Sequence, residues 1–374
     1  MSYRNFTFVP RSPCSVAAKI LSCVKGATKM MPRHYTSLWK ETTFQLKKKS
    51  RVILAATFLS LIISAMYSGY QIYTTTRYIN PLASAPRLET EKPWTQNKAE
   101  LLKLKNVLSS ILSPSITAVR VNADFDLIRH CLETRECKKV SALRHYGTCA
   151  LVGSSGILLN SRCGDEIDAS DFVIRFNLSP QDGYTKDVGR KSSMMVLNTA
   201  MSHKAYDLYN TTDVNKEKRL KDMFKSADNT ILFFPKSHRY WWMYRGLEQI
   251  LRKQGLNVAV VMGVATSESG HDDIRHKVWE TLDKHHTREM PSTGLLLVEI
   301  AITFCDRIRL YGFYPFAREQ QDRAVPFHYW EASVNVPGPD NIHNFPAEFE
   351  LLRKLHNNGV IEHKISPCEL EYSL

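Results

Sequence analysis

Acidic residues are nearly missing from the first 51 positions, where Glu41 stands alone among eleven Lys and Arg side chains. The remaining 323 residues carry 39 basic and 36 acidic side chains, so the formal net charge of +13 belongs mostly to one end. Bulk basicity therefore gives no case for nucleic acid as a partner. Charge of either sign is then absent from Val52–Tyr73, directly after Lys47-Lys48-Lys49-Ser50-Arg51. About 20 such residues cross a bilayer as a helix. Internal repeats are absent, and no C-x2-C motif has a matching second pair, which argues against structural zinc. G-x-G-x-x-G is absent too, which argues against NAD. With 43% hydrophobic and 23% charged residues, a disordered or collagen-like chain is excluded.

What is present predicts a single-span topology. The basic tail, 1–51, stays cytosolic, 52–73 is the signal anchor, and everything after it faces the lumen or the cell exterior. A buried core helix is the other reading of the same run. Tyr67, Tyr70 and Tyr73 fall toward its far end, where aromatic residues favour the interface. Cys14 and Cys23 lie on the reducing side; Cys131, Cys137, Cys149, Cys163, Cys305 and Cys368 lie on the oxidising side. Six cysteines allow 15 pairings, and spacing selects none. Asn210-Thr-Thr is a glycosylation acceptor on the lumenal side, whereas topology leaves Asn5-Phe-Thr unused.

Residues 74–125 read as a stem, with Pro81, Pro86, Pro93 and Pro114 and a short amphipathic helix over Leu101–Leu112. Residues 126–374 read as one α/β domain. Apolar runs at Thr148–Val152, Phe172–Phe176, Met194–Leu197, Ile231–Phe234, Val258–Met262 and Ile308–Tyr311 predict strands. Helices are expected over Tyr240–Lys253, Ile274–His285 and Gly294–Cys305. Such alternation predicts a Rossmann-like, doubly wound, mostly parallel sheet, with ligands at the carboxyl ends of its strands.

Four segments offer chemistry. Cys149–Gly164 (CALVGSSGILLNSRCG) runs from a strand into Gly153-Ser154-Ser155-Gly156 and an apolar helix start, a place for a phosphate. Pro291-Ser292-Thr293-Gly294 precedes an apolar helix that Ser292 or Thr293 can cap; an ordinary cap and a second phosphate site both fit. His328 and His343, with Glu348 five residues after the latter, could supply a base and a phosphate ligand. Asp124-Phe125-Asp126 mimics a metal-holding D-x-D, though two such carboxylates are usually a solvated turn.

Taken in order, these segments resemble the animal sialyltransferase family with its four sialylmotifs. The large motif corresponds to Cys149–Asn198, the small one to Pro291–Phe316, the third to His328–Glu331 and the last to His343–Glu348; the likeness spans 146–374. Within the family the chain is most similar to the α-2,8-sialyltransferases. The resemblance implies a variant GT-A-type glycosyltransferase fold behind a single transmembrane helix in the Golgi membrane. It implies transfer of sialic acid from CMP-sialic acid to a sialylated glycoprotein or glycolipid, with inversion, no cofactor and no metal.

By the same likeness His343 is the general base, Glu348 the acid that follows it, and His328 the contact to the departing phosphate. Ser154, Asn177, Ser292, Thr293, Gly294, Tyr314 and Phe316 match donor-binding positions. Cys149 pairs with Cys305 and Cys163 with Cys368, leaving Cys131 and Cys137. An unused sequon at Asn177-Leu-Ser follows if Asn177 lines the donor pocket. Five positions depart from the subfamily pattern: Ser154 for Asn, Phe176 for Cys, Tyr314 for Trp, and Trp330-Glu331 for Tyr-Asp. An α-2,3 or α-2,6 linkage, or a catalytically weak glycan-binding relative, are the alternatives. Processive polysialyl enzymes of this family carry a strongly basic stretch before the small motif; here Thr266–Met290 holds four basic residues against six acids, so the resemblance implies mono- or oligosialylation rather than long polymers. Acceptor class and homo-oligomer formation stay open.

Overall fold

The computed structural model of the protein describes residues 44–45, 57–69, 93–112, 118–134, 141–235, 241–263, 291–319, 323–331 and 343–368. The chain divides into two units, Met1–Thr74 and Thr75–Leu374. In the first, residues 57–69 are helical, and Phe58, Leu59, Leu61, Ile62, Ile63, Met66 and Tyr67 are all exposed. No helix among the described residues is long and apolar enough to cross a membrane. The rest of the predicted span, 52–56 and 70–73, lies outside those residues.

The second unit is built on strands β1 (Val119–Arg120), β2 (Tyr146–Val152), β3 (Phe172–Phe176), β4 (Met194–Val196), β5 (Ile231–Phe234), β6 (Ala259–Met262), β7 (Cys305–Tyr311) and β8 (Glu362–Lys364). They form one sheet in the order β1-β6-β5-β4-β3-β2-β7-β8. Only β1 runs antiparallel; the other neighbours pair in parallel. Parallel strands covered on both faces need apolar side chains on both, and every residue of β3 and β4 is buried. Arg175 is the exception in kind. Its Nε and Nη2 donate to the Lys191 carbonyl at 3.1 and 2.9 Å, and Nε also to Ser192 Oγ at 2.9 Å. Burial pushes its guanidinium down to about 10.

Helices cover both faces. They are α1 (Lys98–Ile111), α2 (Phe125–Thr134), α3 (Gly164–Asp168), α4 (Thr185–Val188), α5 (Thr199–Asn210), α6 (Lys216–Phe224), α7 (Trp241–Lys253), α8 (Thr293–Phe304) and α9 (Phe345–Asn357). On one face Leu151, Ile174, Phe176 and Val196 pack with α8, α1 and α9. On the other, Met195, Leu232, Phe234 and Val260 pack with α5, α6 and α7. Helix α8 is buried from Leu295 through Phe304, which accounts for its apolar residues on every side.

One boundary differs from the sequence reading. The segment 93–112, assigned there to the stem, belongs to the domain core. Leu101, Leu108 and Leu112 of this segment are buried against α8 residues. Trp94 Nε1 donates to the His356 carbonyl at 3.1 Å, and the Asn97 N–H to the Gly359 carbonyl at 2.9 Å. A Cβ on Gly359, whose φ is +73°, would lie 2.7 Å from Asn97 N, so this strap requires glycine there. An amphipathic repeat shows that a helix has an apolar face but not what covers it. Leu108→Ala is expected to cost about 2–5 kcal/mol of stability. Leu102→Ala, at a position 57% exposed, should cost under about 0.5 kcal/mol. Equal denaturation midpoints for the two variants would return α1 to the stem.

Candidate active site

The sheet order reverses between β2 and β7, and Ser154, Asn177 and Tyr314 follow closely on the carboxyl ends of β2, β3 and β7. The Gly153 N–H donates to the Tyr311 carbonyl at 2.7 Å, holding the ends of β2 and β7 together. A Cβ on Gly153 would fall 2.5 Å from the Gly312 carbonyl oxygen, and one on Gly156 2.5 Å from that of Pro326. Close backbone approach, rather than a positive φ, explains both glycines.

The expected helix after this loop is absent. Gly156–Leu158 makes one buried 3-10 turn, capped by Ser155 Oγ on the Ile157 N–H. Asn160 and Arg162 then adopt φ of 65° and 55°. The Asp187 carboxylate accepts both of their N–H groups, at 2.9 and 3.0 Å, and this long-range pairing replaces a helix. The first loop thus offers no helix N-terminus to a phosphate. The Ser154 carbonyl accepts the Tyr329 N–H at 2.9 Å and so docks the His328–Glu331 segment onto the loop.

At the end of β3, Asn177 and Leu178 both have positive φ, 55° and 60°. Such backbone costs roughly 1–2 kcal/mol for a residue with a Cβ, and strain of this kind concentrates at functional sites. Asn177 Oδ1 accepts the Asn198 N–H at 3.0 Å, and Asn198 Oδ1 accepts the Met201 N–H at 2.9 Å, capping α5. The Asn177 carboxamide oxygen thus helps to hold the start of α5.

Helix α8 begins with Ser292 as its cap. Ser292 Oγ accepts the Leu295 N–H at 3.1 Å and donates to Glu348 Oε2 at 2.6 Å. The Ser292 N–H donates to Glu348 Oε1 at 2.7 Å. Of the first-turn donors, Thr293 and Gly294 N–H are the two that neither Ser292 nor Glu348 takes. Both carboxylate oxygens of Glu348, in the first turn of α9, are engaged. His343 lies one residue before Asn344, the cap of α9, whose Oδ1 accepts the Ala347 N–H at 3.1 Å. The His343 ring is half-buried and meets Phe345 edge-on at 5.8 Å. His328 Nδ1 sits 2.9 Å from Glu331 Oε2, and its ring lies parallel to Trp330 at 4.4 Å.

Phe313, which the sequence reading did not single out, stands at the centre. Its ring lies 3.3 Å from the Cβ position of Gly153, 3.1 Å from that of Gly294, and edge-on to Phe176 at 5.8 Å. Its place just beyond Gly312 at a strand's carboxyl end was the available signal. Tyr314 and Phe316 instead turn into a buried cluster with Ile157, Val325 and Phe349. The Tyr314 hydroxyl donates to the Arg318 carbonyl at 2.9 Å, and burial pushes it up to about 12.

The Phe313 carbonyl accepts from Nε2 of His363, a fully buried imidazole, at 2.9 Å. Burial, with the Arg353 charge second, pushes His363 from 6.5 down to about 3, so the folded protein holds it neutral. Below pH 6.5 the unfolded chain takes up a proton that the fold refuses, and stability falls with pH toward 3. The cost is up to about 1.4 kcal/mol per pH unit. His363→Gln is expected to flatten the fall in Tm between pH 6.5 and 4.5 by close to one proton's worth. Identical slopes for both proteins would refute this.

Asp124 serves its own helix: Oδ1 accepts the Asp126 and Leu127 N–H groups at 2.9 and 3.1 Å, while Asp126 pairs with Arg129 at 2.8 Å. No group of three or more potential metal ligands occurs among the described residues. Disulfides join Cys149 to Cys305 and Cys163 to Cys368. The Cys131 side chain and all of Cys137 lie outside the described residues, as do Ile274–His285 and Thr266–Met290. Asn210 is exposed at the end of α5.

An open, mostly parallel sheet with helices on both faces and a point of reversal between β2 and β7 defines a doubly wound α/β protein, a class in which ligands gather at such a point. The profile of glycosyltransferase family 29 (sialyltransferase) matches residues 103–360, and the chain belongs to this family. An alpha-N-acetylneuraminide alpha-2,8-sialyltransferase of Xenopus tropicalis is 30% identical over 237 residues, 60% of this chain and 62% of that protein. The chain thus spans less than two thirds of that relative. A mammalian sialyltransferase crystal structure superposes with a TM-score of 0.38 at 22% identity, covering 76% of this chain and 90% of the other. A complex of a mammalian sialyltransferase with Gal-beta-1-3GalNAc-ortho-nitrophenol gives 0.38 at 21%, over 75% and 93%.

Proposed function

We propose that the protein transfers sialic acid from CMP-sialic acid to a sialylated glycan, with inversion, in α-2,8 linkage, as mono- or oligosialylation and without a metal. The observation that carries this reading is the junction of two helix starts: Ser292 of α8 and Glu348 of α9 are bonded beside the β2–β7 reversal. Inversion by single displacement needs an anion-holding group on one side of the anomeric carbon and a base on the other. On this reading the Thr293 and Gly294 N–H groups, backed by the helix dipole, take the CMP phosphate. His328, braced by Glu331 and Trp330, meets the departing charge. His343 removes the proton of the acceptor hydroxyl. The Asn177 NH2 binds the donor, which leaves its sequon unglycosylated, while Asn210 carries a glycan.

The same reading places the chain as a single-pass type II protein of the Golgi membrane. The charge-free run Val52–Tyr73 behind a basic tail supports it, as do the exposed apolar side chains on all sides of helical residues 57–69.

The test is incubation of the detergent-solubilised full-length protein with CMP-sialic acid and a panel of sialylated and asialo acceptors, with and without EDTA, followed by linkage analysis. EDTA-insensitive formation of short α-2,8 products is expected. Donor binding without turnover would make the chain a glycan-binding relative. Products in α-2,3 or α-2,6 linkage would correct the acceptor, and EDTA sensitivity would overturn the metal-free mechanism.

A further inference from the structure

We propose that Glu348 is a positioning residue that locks the donor-side end of α8 to the helix start next to His343, and that it moves no proton in the reaction. The inference rests on the transferase reading of this site.

Helices that begin with Ser often complete their cap with Glu at the third helical position, which accepts the cap residue's own N–H. In α8 that position is Leu295, which cannot do so. The missing carboxylate comes from α9. Glu348, 56 residues away in sequence and 6% exposed, accepts the Ser292 N–H at 2.7 Å and the Ser292 hydroxyl at 2.6 Å. Ser292 Oγ accepts the Leu295 N–H in turn, so carboxylate, hydroxyl and helix backbone form one chain.

Three consequences follow. The Glu348 carboxylate lies at the N-terminal ends of two helices at once, where the helix dipoles meet it with positive partial charge. Its oxygens are occupied by donors, so a proton on either would displace one of these bonds. The link also fixes the α8 donors at Thr293 and Gly294 relative to His343, five positions before Glu348. A misplacement of about 1 Å between such groups costs about 100-fold in rate. Ser292 belongs to the same device, because its hydroxyl proton points to Glu348 rather than to a ligand.

The experiment uses the full-length protein in detergent as wild type, E348A, E348Q, S292A and E348A/S292A. Steady-state constants, their pH profiles and binding of CMP are measured. E348A is expected to lose about 100-fold in kcat/KM, shared between kcat and the KM for CMP-sialic acid. E348Q keeps an oxygen for the Ser292 N–H and should restore most of that loss with both limbs of the pH profile in place. The double variant should be no worse than E348A alone, since both changes break one link.

The proposal is overturned if E348Q is as inactive as E348A and loses a pH limb, the signature of proton transfer. Additive E348A and S292A effects, or unchanged constants in E348A, overturn it too. A wild type that binds CMP but turns over no CMP-sialic acid defeats the transferase reading instead. The link is then judged from CMP affinity, which E348A should weaken and E348Q restore; equal affinities overturn it. Absence of CMP binding defeats both.

Discussion

Replacing His343 with alanine is expected to lower kcat by about 10²–10⁴-fold, the usual contribution of a positioned general base. The KM for CMP-sialic acid should stay within a few-fold, and Tm should barely move. The structural reason for separating rate from stability lies in where His343 sits. It precedes the cap of α9, is half-buried, and belongs to none of the core clusters. Its removal opens no core cavity, and surface changes of this kind stay within about 0.5 kcal/mol. Asn344→Ala is the instructive neighbour. Asn344 accepts the Ala347 N–H, so its loss should cost about 1 kcal/mol of stability. Added imidazole should return part of the H343A rate and none of the N344A stability. A kcat within tenfold of wild type, or a Tm loss in H343A matching that of N344A, would remove His343 from the chemistry.

The parts of the fold legible in the sequence are those governed by local apolar pattern. Phe172–Phe176 and Ile231–Phe234 are strands over the predicted residues, because a strand buried on both faces is a continuous apolar run. The edges were not legible. β8 is Glu362-His363-Lys364, a polar triplet by composition. In the fold, Glu362 is 2.9 Å from Arg307 and 3.2 Å from Arg309, and His363 is hidden against Phe313. Those partners lie more than 45 positions away, and no window along the chain contains them.

The site divides along the same line. Ser292 as a helix cap follows from its own neighbours, since Leu295 is three residues on. Its bond to Glu348 does not, and that bond changes what the hydroxyl can do. The glycine loop after β2 reads as a helix start because Ile157-Leu158-Leu159 is apolar. It ends as a single turn because Asp187, more than 20 residues later, takes the N–H groups of Asn160 and Arg162. Tyr314 and Phe316 share the small motif with Phe313. Only the turn at Gly312, with φ of +72°, decides which ring faces the two glycines.

The largest expected stability effect is loss of the Cys149–Cys305 disulfide, which closes a separation of 156 residues. Chain-entropy reasoning for a loop of this length gives roughly 5 kcal/mol, at the upper end of measured disulfide contributions. That is comparable to the whole stability of many domains, about 5–15 kcal/mol. Both cysteines are fully buried within the cluster that holds Leu151, Ile308 and α8. Paired Ser substitution would therefore also leave two hydroxyls to satisfy in an apolar setting, about 1–3 kcal/mol each. Paired Ala substitution avoids those hydroxyls and should shift the denaturant midpoint by the cross-link's entropy term plus a smaller one for the cavity that the two sulfurs leave. The Cys163–Cys368 bond closes 205 residues, so its entropy term is nearly the same. Its native-state role differs, because it ties the segment after β8 to the Ser161 carbonyl, which accepts the Cys368 N–H at 2.8 Å. Without that bond the segment can detach locally and limit the loss. C149A/C305A should therefore destabilise the protein more than C163A/C368A. Equal midpoints would show that the loops, not their places in the sheet, set the cost.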